Sequence, residues 1–256
     1  MTVLIPHVAL YILLTPLLLL VAGCSTAPKL QGDTIEEAFF TPEQILGGGV
    51  TEIEDEEISD PFEGFNRTMY RFNYYFDKYV FLPAVIGYMK ITPDAAQDGI
   101  HNFFRNIQDI TTLFNSILQL NPEKTLNTTT RLLVNTTIGL LGFIDIANDV
   151  PRKDEDFGQT LGYWGVGSGP YLVLPVLGPS SVRDGIGQGV DWYVGYDQPK
   201  QRLTNMEAWQ ETTLDIVRAI DLRAHVRFLY YETNSPFEYE MVRMLWTTKR
   251  KLDIKR

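Results

Sequence analysis

Apolar and polar positions divide the chain into segments of different texture. Residues 8–23 are uncharged, too short a run for a membrane span and the right length for the apolar part of a secretory leader. Residues 24–59 carry scattered apolar positions among acids, with Gly47, Gly48 and Gly49 together, which predicts a flexible acidic tether. From residue 60 the texture becomes helical. Asp60 and Pro61 fit an N-cap and a first helical turn. Phe62, Phe65, Met69, Phe72 and Phe76 recur at spacings of three and four and share one face, for which core packing is the default expectation. Pro93 opens a second helix with the stripe Ile100, Phe103, Phe104, Ile107 and Ile110, and the apolar character continues to Leu120, where Asn121 and Pro122 break the chain. A further helix is expected from Pro122 through Thr137. It overlaps an uncharged run, residues 132–144, that fits either a buried core helix or a segment lying in one leaflet of a bilayer.

Residues 157–191 differ again. Glycines at 158, 162, 165, 167, 169, 178, 185, 187 and 189 and prolines at 170, 175 and 179 alternate with Tyr163, Trp164, Tyr171, Leu172 and Leu174. Loops are normally polar, so apolar side chains on a broken backbone call for cover by protein or lipid. After Pro199 the pattern is helical once more, with Trp209, Thr213, Ile216 and Ile220 on one stripe, and Pro236 opens a last helix. No repeat and no alternating strand pattern interrupts this, so the expected class is mostly α, built from short, Gly/Pro-broken amphipathic helices.

The only cysteine, Cys24, ends the leader in the sequence Val21-Ala22-Gly23-Cys24, which looks like a bacterial lipobox. Cleavage before Cys24 and acylation of its thiol would anchor the chain and leave no thiol for a disulfide. The stretch before the leader's apolar run contains no Lys or Arg, unlike an ordinary signal. The chain divides into a leader (1–23), the tether (24–59), a helical domain (60–246) and a basic tail (247–256). The formal net charge of −10 argues against a nucleic-acid partner. Six acids in 52–60 and five bases in 247–256 read as solvated flanks, the basic one also able to meet anionic headgroups.

Catalytic patterns are missing. There is no G-x-S-x-G elbow, no HExxH and no cysteine cluster, and the three histidines, His7, His101 and His225, match no metal-binding spacing. The cluster Gly165 to Gly169 lacks the lysine of a phosphate loop. The expectation is a protein that is not an enzyme, with no cofactor and no metal.

Three ordered motifs carry a family resemblance. Asp60-Pro61-Phe62-Glu63-Gly64-Phe65-Asn66-Arg67 resembles the opening motif of the MlaA/VacJ lipoproteins. So does Asn135-Thr136-Thr137-x-Gly139-x-x-Gly142-x-x-Asp145-x-Ala147, and so does the block from Phe157 to Tyr171 followed by Gly178-Pro179-Ser180 and Arg183-Asp184. The resemblance implies a monotopic, ring-like helical body in the inner leaflet of the Gram-negative outer membrane, anchored through Cys24. A central amphipathic channel would take misplaced phospholipid from the outer leaflet and pass it to a soluble periplasmic carrier, with trimeric porins holding the ring. Ser25, after the cysteine, agrees with outer-membrane sorting by the same analogy. On this reading Gly165, Gly167, Gly169, Tyr171 and Arg183 are candidate channel or lipid contacts, with Arg183 either meeting a lipid phosphate or pairing with Asp184. Asn66, Arg67, Phe72 and Asn73 belong to the opening motif as packing residues or a gate. A scaffold associated with porins is the alternative function, and an envelope hydrolase the third.

Overall fold

The computed structural model describes residues 59–197, 207–226, 228–231 and 235–255. The leader, Cys24, most of the tether and residues 198–206 lie outside the described residues. Helix α1 (Glu63–Phe76) runs through a π-helical turn (Asp77–Phe81) into α2 (Leu82–Ile91) without leaving helical backbone. Pro83, early in α2, has no N–H to close an ordinary turn, and the wider π turn falls just before it. Helix α3 (Asp94–Leu118) and helix α4 (Pro122–Thr137) form an antiparallel pair, with α4 capped by Asn121, whose side chain accepts from the Lys124 N–H at 3.0 Å. Helix α5 (Phe157–Tyr163) is capped by Asp156. Strands β1 (Tyr171–Leu174) and β2 (Gly178–Ser181) pair antiparallel, Tyr171 opposite Ser181 and Leu174 opposite Gly178. Ser181 then caps α6 (Val182–Trp192), which packs on α5. Helix α7 (Ala208–Ala224) lies against α2 and α3, and α8 (Glu238–Lys255) against α5 and β2. The class is mostly α, as the periodicity predicts.

Two local expectations change. The short hairpin was not visible as an alternating pattern, because Gly178-Pro179-Ser180-Ser181 has turn composition and earns its strand geometry by pairing with β1. The basic stretch after residue 246 is not a separate tail: residues 247–255 are the last turns of α8.

The larger change concerns which faces are inside. On α1 the buried side chains are Asn66, Tyr70 and Asn73, while Phe62, Phe65 and Phe72 are exposed. The aromatic stripe therefore points outward, opposite to the packing expectation. On α3 Asn106, Asp109, Thr111, Thr112, Asn115 and Ser116 are buried, while of the apolar stripe Phe104 is buried and Ile100, Phe103, Ile107 and Ile110 are half-buried. Among the described residues, buried polar and charged side chains far outnumber buried apolar ones, and the apolar core is a small cluster of Tyr70, Tyr171, Val173, Tyr239 and Val242.

The joint between α1 and the hairpin explains why asparagines are inside. Asn66 donates to the Tyr171 carbonyl at 3.1 Å and accepts from the Val173 N–H at 2.8 Å. Seven residues on, and so on the same face, Asn73 donates to the Leu174 carbonyl at 2.9 Å and accepts from the Val176 N–H at 2.7 Å. Each amide supplies one donor and one acceptor to backbone groups that no strand reaches. Asp60, expected to cap α1, instead receives Asn66, Tyr239 and Arg243, joining the start of the helical body to α8. Asn66→Ala strands the buried Val173 N–H and should destabilise the fold by about 3 kcal/mol, whereas Phe65→Ala on the exposed face should stay within about 1 kcal/mol; denaturant unfolding of both variants in detergent checks the contrast.

Candidate membrane-facing surface and its polar interior

Exposed apolar residues occur on several helices and also crowd the tight connections. Leu120, between α3 and α4, is 74% exposed; Ile138, Leu140, Leu141, Phe143, Ile144 and Ile146 follow α4; Tyr163 ends α5 and Trp164 and Val166 follow it; Val176 and Leu177 belong to the hairpin turn. Leu120, Leu140, Leu141 and Val176 hold φ between 52° and 68°. A branched side chain in left-handed backbone is strained, and glycine would be the easy choice. Strain of this kind persists at positions where the side chain has work to do. Here each such side chain is apolar and points outward. Gly142 allows the turn after α4 to fold over α3, since a Cβ at its φ of +96° would lie 2.4 Å from Asn106 Cβ. The uncharged run 132–144 is thus no buried core helix: its last part is an exposed apolar turn.

Among the described residues, no helix is long and apolar enough to cross a membrane. Helix α3, with 25 residues, spans about 37 Å. Its length would suffice, and its polar inner face is what disqualifies it.

Much of that polar face is paired within the fold, while Asn106 Oδ1 and Ser116 Oγ have no hydrogen bond. Asn115 donates to Asp191 at 2.8 Å and accepts from Thr160 at 2.8 Å; Gln119 donates to Thr160 and Glu155; Lys124 pairs with Glu155 at 2.5 Å. A second group joins Arg131 bidentately to Asp145, with Asn135 on the same carboxylate and Arg152 on Asp109 at 3.0 Å. The guanidinium of Arg131 and the Asn135 amide hold the Asp145 carboxyl below its usual range against the opposing effect of burial, the largest influence on it. Burial pushes the Asp191 carboxyl up to about 6 despite hydrogen bonds from the Phe157 N–H and Asn115.

The sequence-derived candidates fall in different places. Gly165 and Gly167 are exposed, with open space where a Cβ would lie, and Gly165 has φ +86°. Gly169 has φ +67° and borders a cavity of about 200 Å³ also lined by Ser168, Tyr171, Arg183, Trp246 and Lys251. Tyr171 is buried in the core cluster. Arg183 is buried and pairs with Asp184 at 3.1 Å while donating to the Val166 carbonyl, and Arg250 from α8 meets Asp184 at 2.7 Å and Asp156 at 2.6 Å. Of the two readings of Arg183, the geometry has the structural ion pair. Asn66 and Asn73 clamp the hairpin. Arg67 bridges Glu63 and Glu240 over the Tyr239 ring at 4.5 Å, and Phe72, exposed, stacks on Phe76. Sequence reasoning missed the Asn115, Gln119, Lys124, Glu155 and Asp191 network. The available signal was the polar stripe Asp109, Thr112, Ser116 and Gln119 at helical spacing, which resembles an ordinary solvated face. It also missed the meeting of His101 with Asp221 and His225, residues too far apart in sequence to show it.

The MlaA lipoprotein profile matches residues 58–253. The chain belongs to this family. It is similar to the intermembrane phospholipid transport system lipoprotein MlaA of Escherichia coli (strain K12), 37% identical over 155 residues, covering 58% of this chain and 62% of that one. It is also similar to an uncharacterized protein of Rickettsia prowazekii, 36% identical over 163 residues and 63% of each chain. The chain thus spans about three fifths of the length of the curated relatives it matches. A solved chain from "Structural basis for maintenance of bacterial outer membrane lipid asymmetry" superposes with a TM-score of 0.62 at 31% identity, over 77% of this chain and 99% of that one. The family motifs read from the sequence are now accounted for: Asn66 clamps the hairpin, Asn135 and Asp145 hold the turn after α4, and Asp184 anchors α8.

A lysine at an exposed apolar position of this surface should weaken attachment to lipid. Ile144→Lys in a Cys24→Ala background is expected to reduce flotation with phospholipid vesicles by ~10-fold or more while leaving the helical content unchanged. Asp191 gives a pH test. Its folded pKa lies above the unfolded value of 3.8, so its contribution is full below that value and lost as pH rises through about 6. Denaturation midpoints from pH 4 to 7 should fall more steeply in the unaltered protein than in Asp191→Asn.

Proposed function

We propose that this protein is an outer-membrane lipoprotein of a phospholipid transport system that maintains lipid asymmetry, removing misplaced phospholipid from the outer leaflet. The observation that carries the reading is the burial pattern: a polar, largely hydrogen-bonded interior beside exposed apolar turns, with no described helix long and apolar enough to cross a membrane. Pairing of most interior polar groups lowers the cost of sitting in hydrocarbon, and covering the strained leucines with acyl chains is favourable. The names of the relatives and the subject of the similar structure support the lipid chemistry.

In the finer form of the proposal the body is a ring in the periplasmic leaflet, anchored through acylated Cys24 and held by trimeric porins. Phospholipid slides through its amphipathic channel to a soluble carrier, and no bond is broken. Direction then comes from the partner that supplies energy, since a passive path has none of its own.

The test is outer-leaflet phospholipid in cells lacking the gene, restored with the unaltered chain or with Cys24→Ala. The expected outcome is accumulation on deletion, reversal by the unaltered chain and failure of Cys24→Ala. Unchanged outer-leaflet phospholipid on deletion would turn the reading toward a porin-associated scaffold.

A further inference from the structure

Away from the hairpin, α3 and α7 meet through a group that lipid transport does not use. His101 on α3 has Nδ1 at 3.0 Å from Asp221 Oδ2, and His225, just beyond α7, has Nδ1 at 3.5 Å from Asp221 Oδ1. The two imidazoles stack with centroids 3.6 Å apart and planes 18° from parallel. One donor atom from each of the three residues lies within 4.8 Å of the others. Asp221 is fully buried, and its Oδ1 has no hydrogen-bond partner. A buried carboxylate oxygen left without a donor is costly, and an orphan of this kind calls for an explanation. The group opens on a cavity of about 240 Å³ lined also by Phe104, Arg105, Asp154 and Arg218.

We propose that His101, Asp221 and His225 form a binding site for a divalent transition-metal ion of the zinc class. Two imidazoles and one carboxylate are a ligand set suited to zinc, and three protein ligands beside a cavity leave a fourth position for water. The ion supplies the missing partner of Asp221 Oδ1. It also relieves the packing of two imidazoles face to face by giving both nitrogens a common target. His225 Nδ1 lies 2.9 Å from the Asp221 carbonyl oxygen; ligation through Nδ1 replaces this hydrogen bond, whereas ligation through Nε2 keeps it. The ligands come from two helices, so the ion joins α3 to α7 as a staple. Metal bound to the folded state alone raises stability by mass action. The cavity's arginines, Arg105 and Arg218, sit on the same side and favour an anionic ligand in the open position.

The experiment is titration of Zn²⁺ into the untagged full chain in detergent, read by calorimetry and thermal unfolding. It is repeated with Co²⁺, whose visible absorption separates an intense four-coordinate site from weak six-coordinate binding. The expected result is one Zn²⁺ per chain, a rise in Tm, and a cobalt spectrum, with affinity falling by about tenfold or more in His101→Gln and in His225→Gln. Only His7 lies outside this site among the histidines, so histidine ligation assigns the binding here. Affinity unchanged in both variants would place the ion on the acidic residues 52–60 and overturn the site, as would the absence of any saturable Zn²⁺ binding. Circular dichroism shows whether each variant is folded. Should either unfold, the cobalt spectrum of the unaltered protein decides alone, since flexible carboxylates with water leave Co²⁺ six-coordinate and weakly absorbing, and a spectrum of that kind would overturn the site.

Discussion

Everything in this fold depends on polar groups finding one another inside it. Water is normally the partner of last resort for an amide or carboxylate, and a group buried inside the fold cannot rely on it. Asn66 and Asn73 answer this for the hairpin, each giving one donor and one acceptor to backbone that lacks a neighbouring strand. Asn115, Gln119 and Lys124 answer it between α3, α4 and α5. Removing one member of such a set leaves the others buried without a partner, so the interior tolerates change less well than an aliphatic core of equal size.

The charges follow the same logic. Asp184 serves both Arg183 and Arg250, and Asp60 serves Asn66, Tyr239 and Arg243. A buried ion pair gives little net stability, since desolvation opposes the Coulomb attraction, but it fixes which elements can meet. Here it fixes the seating of α8 against α5 and α6. The arginine that looked like a ligand for phosphate is one of these fixed points.

Element positions were largely legible. Asn121-Pro122 marked the break between α3 and α4, and the spacing of Phe62, Phe65, Met69 and Phe72 marked α1 as a helix. The inside was not legible, because an amphipathic stripe says that two faces differ and not which solvent each meets. In water Phe65 would turn inward and Asn66 outward; the reverse is found. The hairpin was hidden because Gly178 to Ser181 has no strand propensity of its own, and β1 receives its support from α1, about a hundred residues earlier. The Cys24 motif and the three family blocks carried more information about role than periodicity did.

The last helix has a consequence for how the molecule is made. Helix α8 supplies Glu238 to Tyr70, Tyr239 and Arg243 to Asp60, and Arg250 to Asp156 and Asp184. These partners are separated by up to 183 residues, and Asp184 among them is a buried acid that Arg250 shares with Arg183. Until α8 is in place these acids remain wet and α1, α5 and α6 lack their common partner. The body closes only when segments far apart in sequence have met, the kind of contact whose loop-closure cost slows folding.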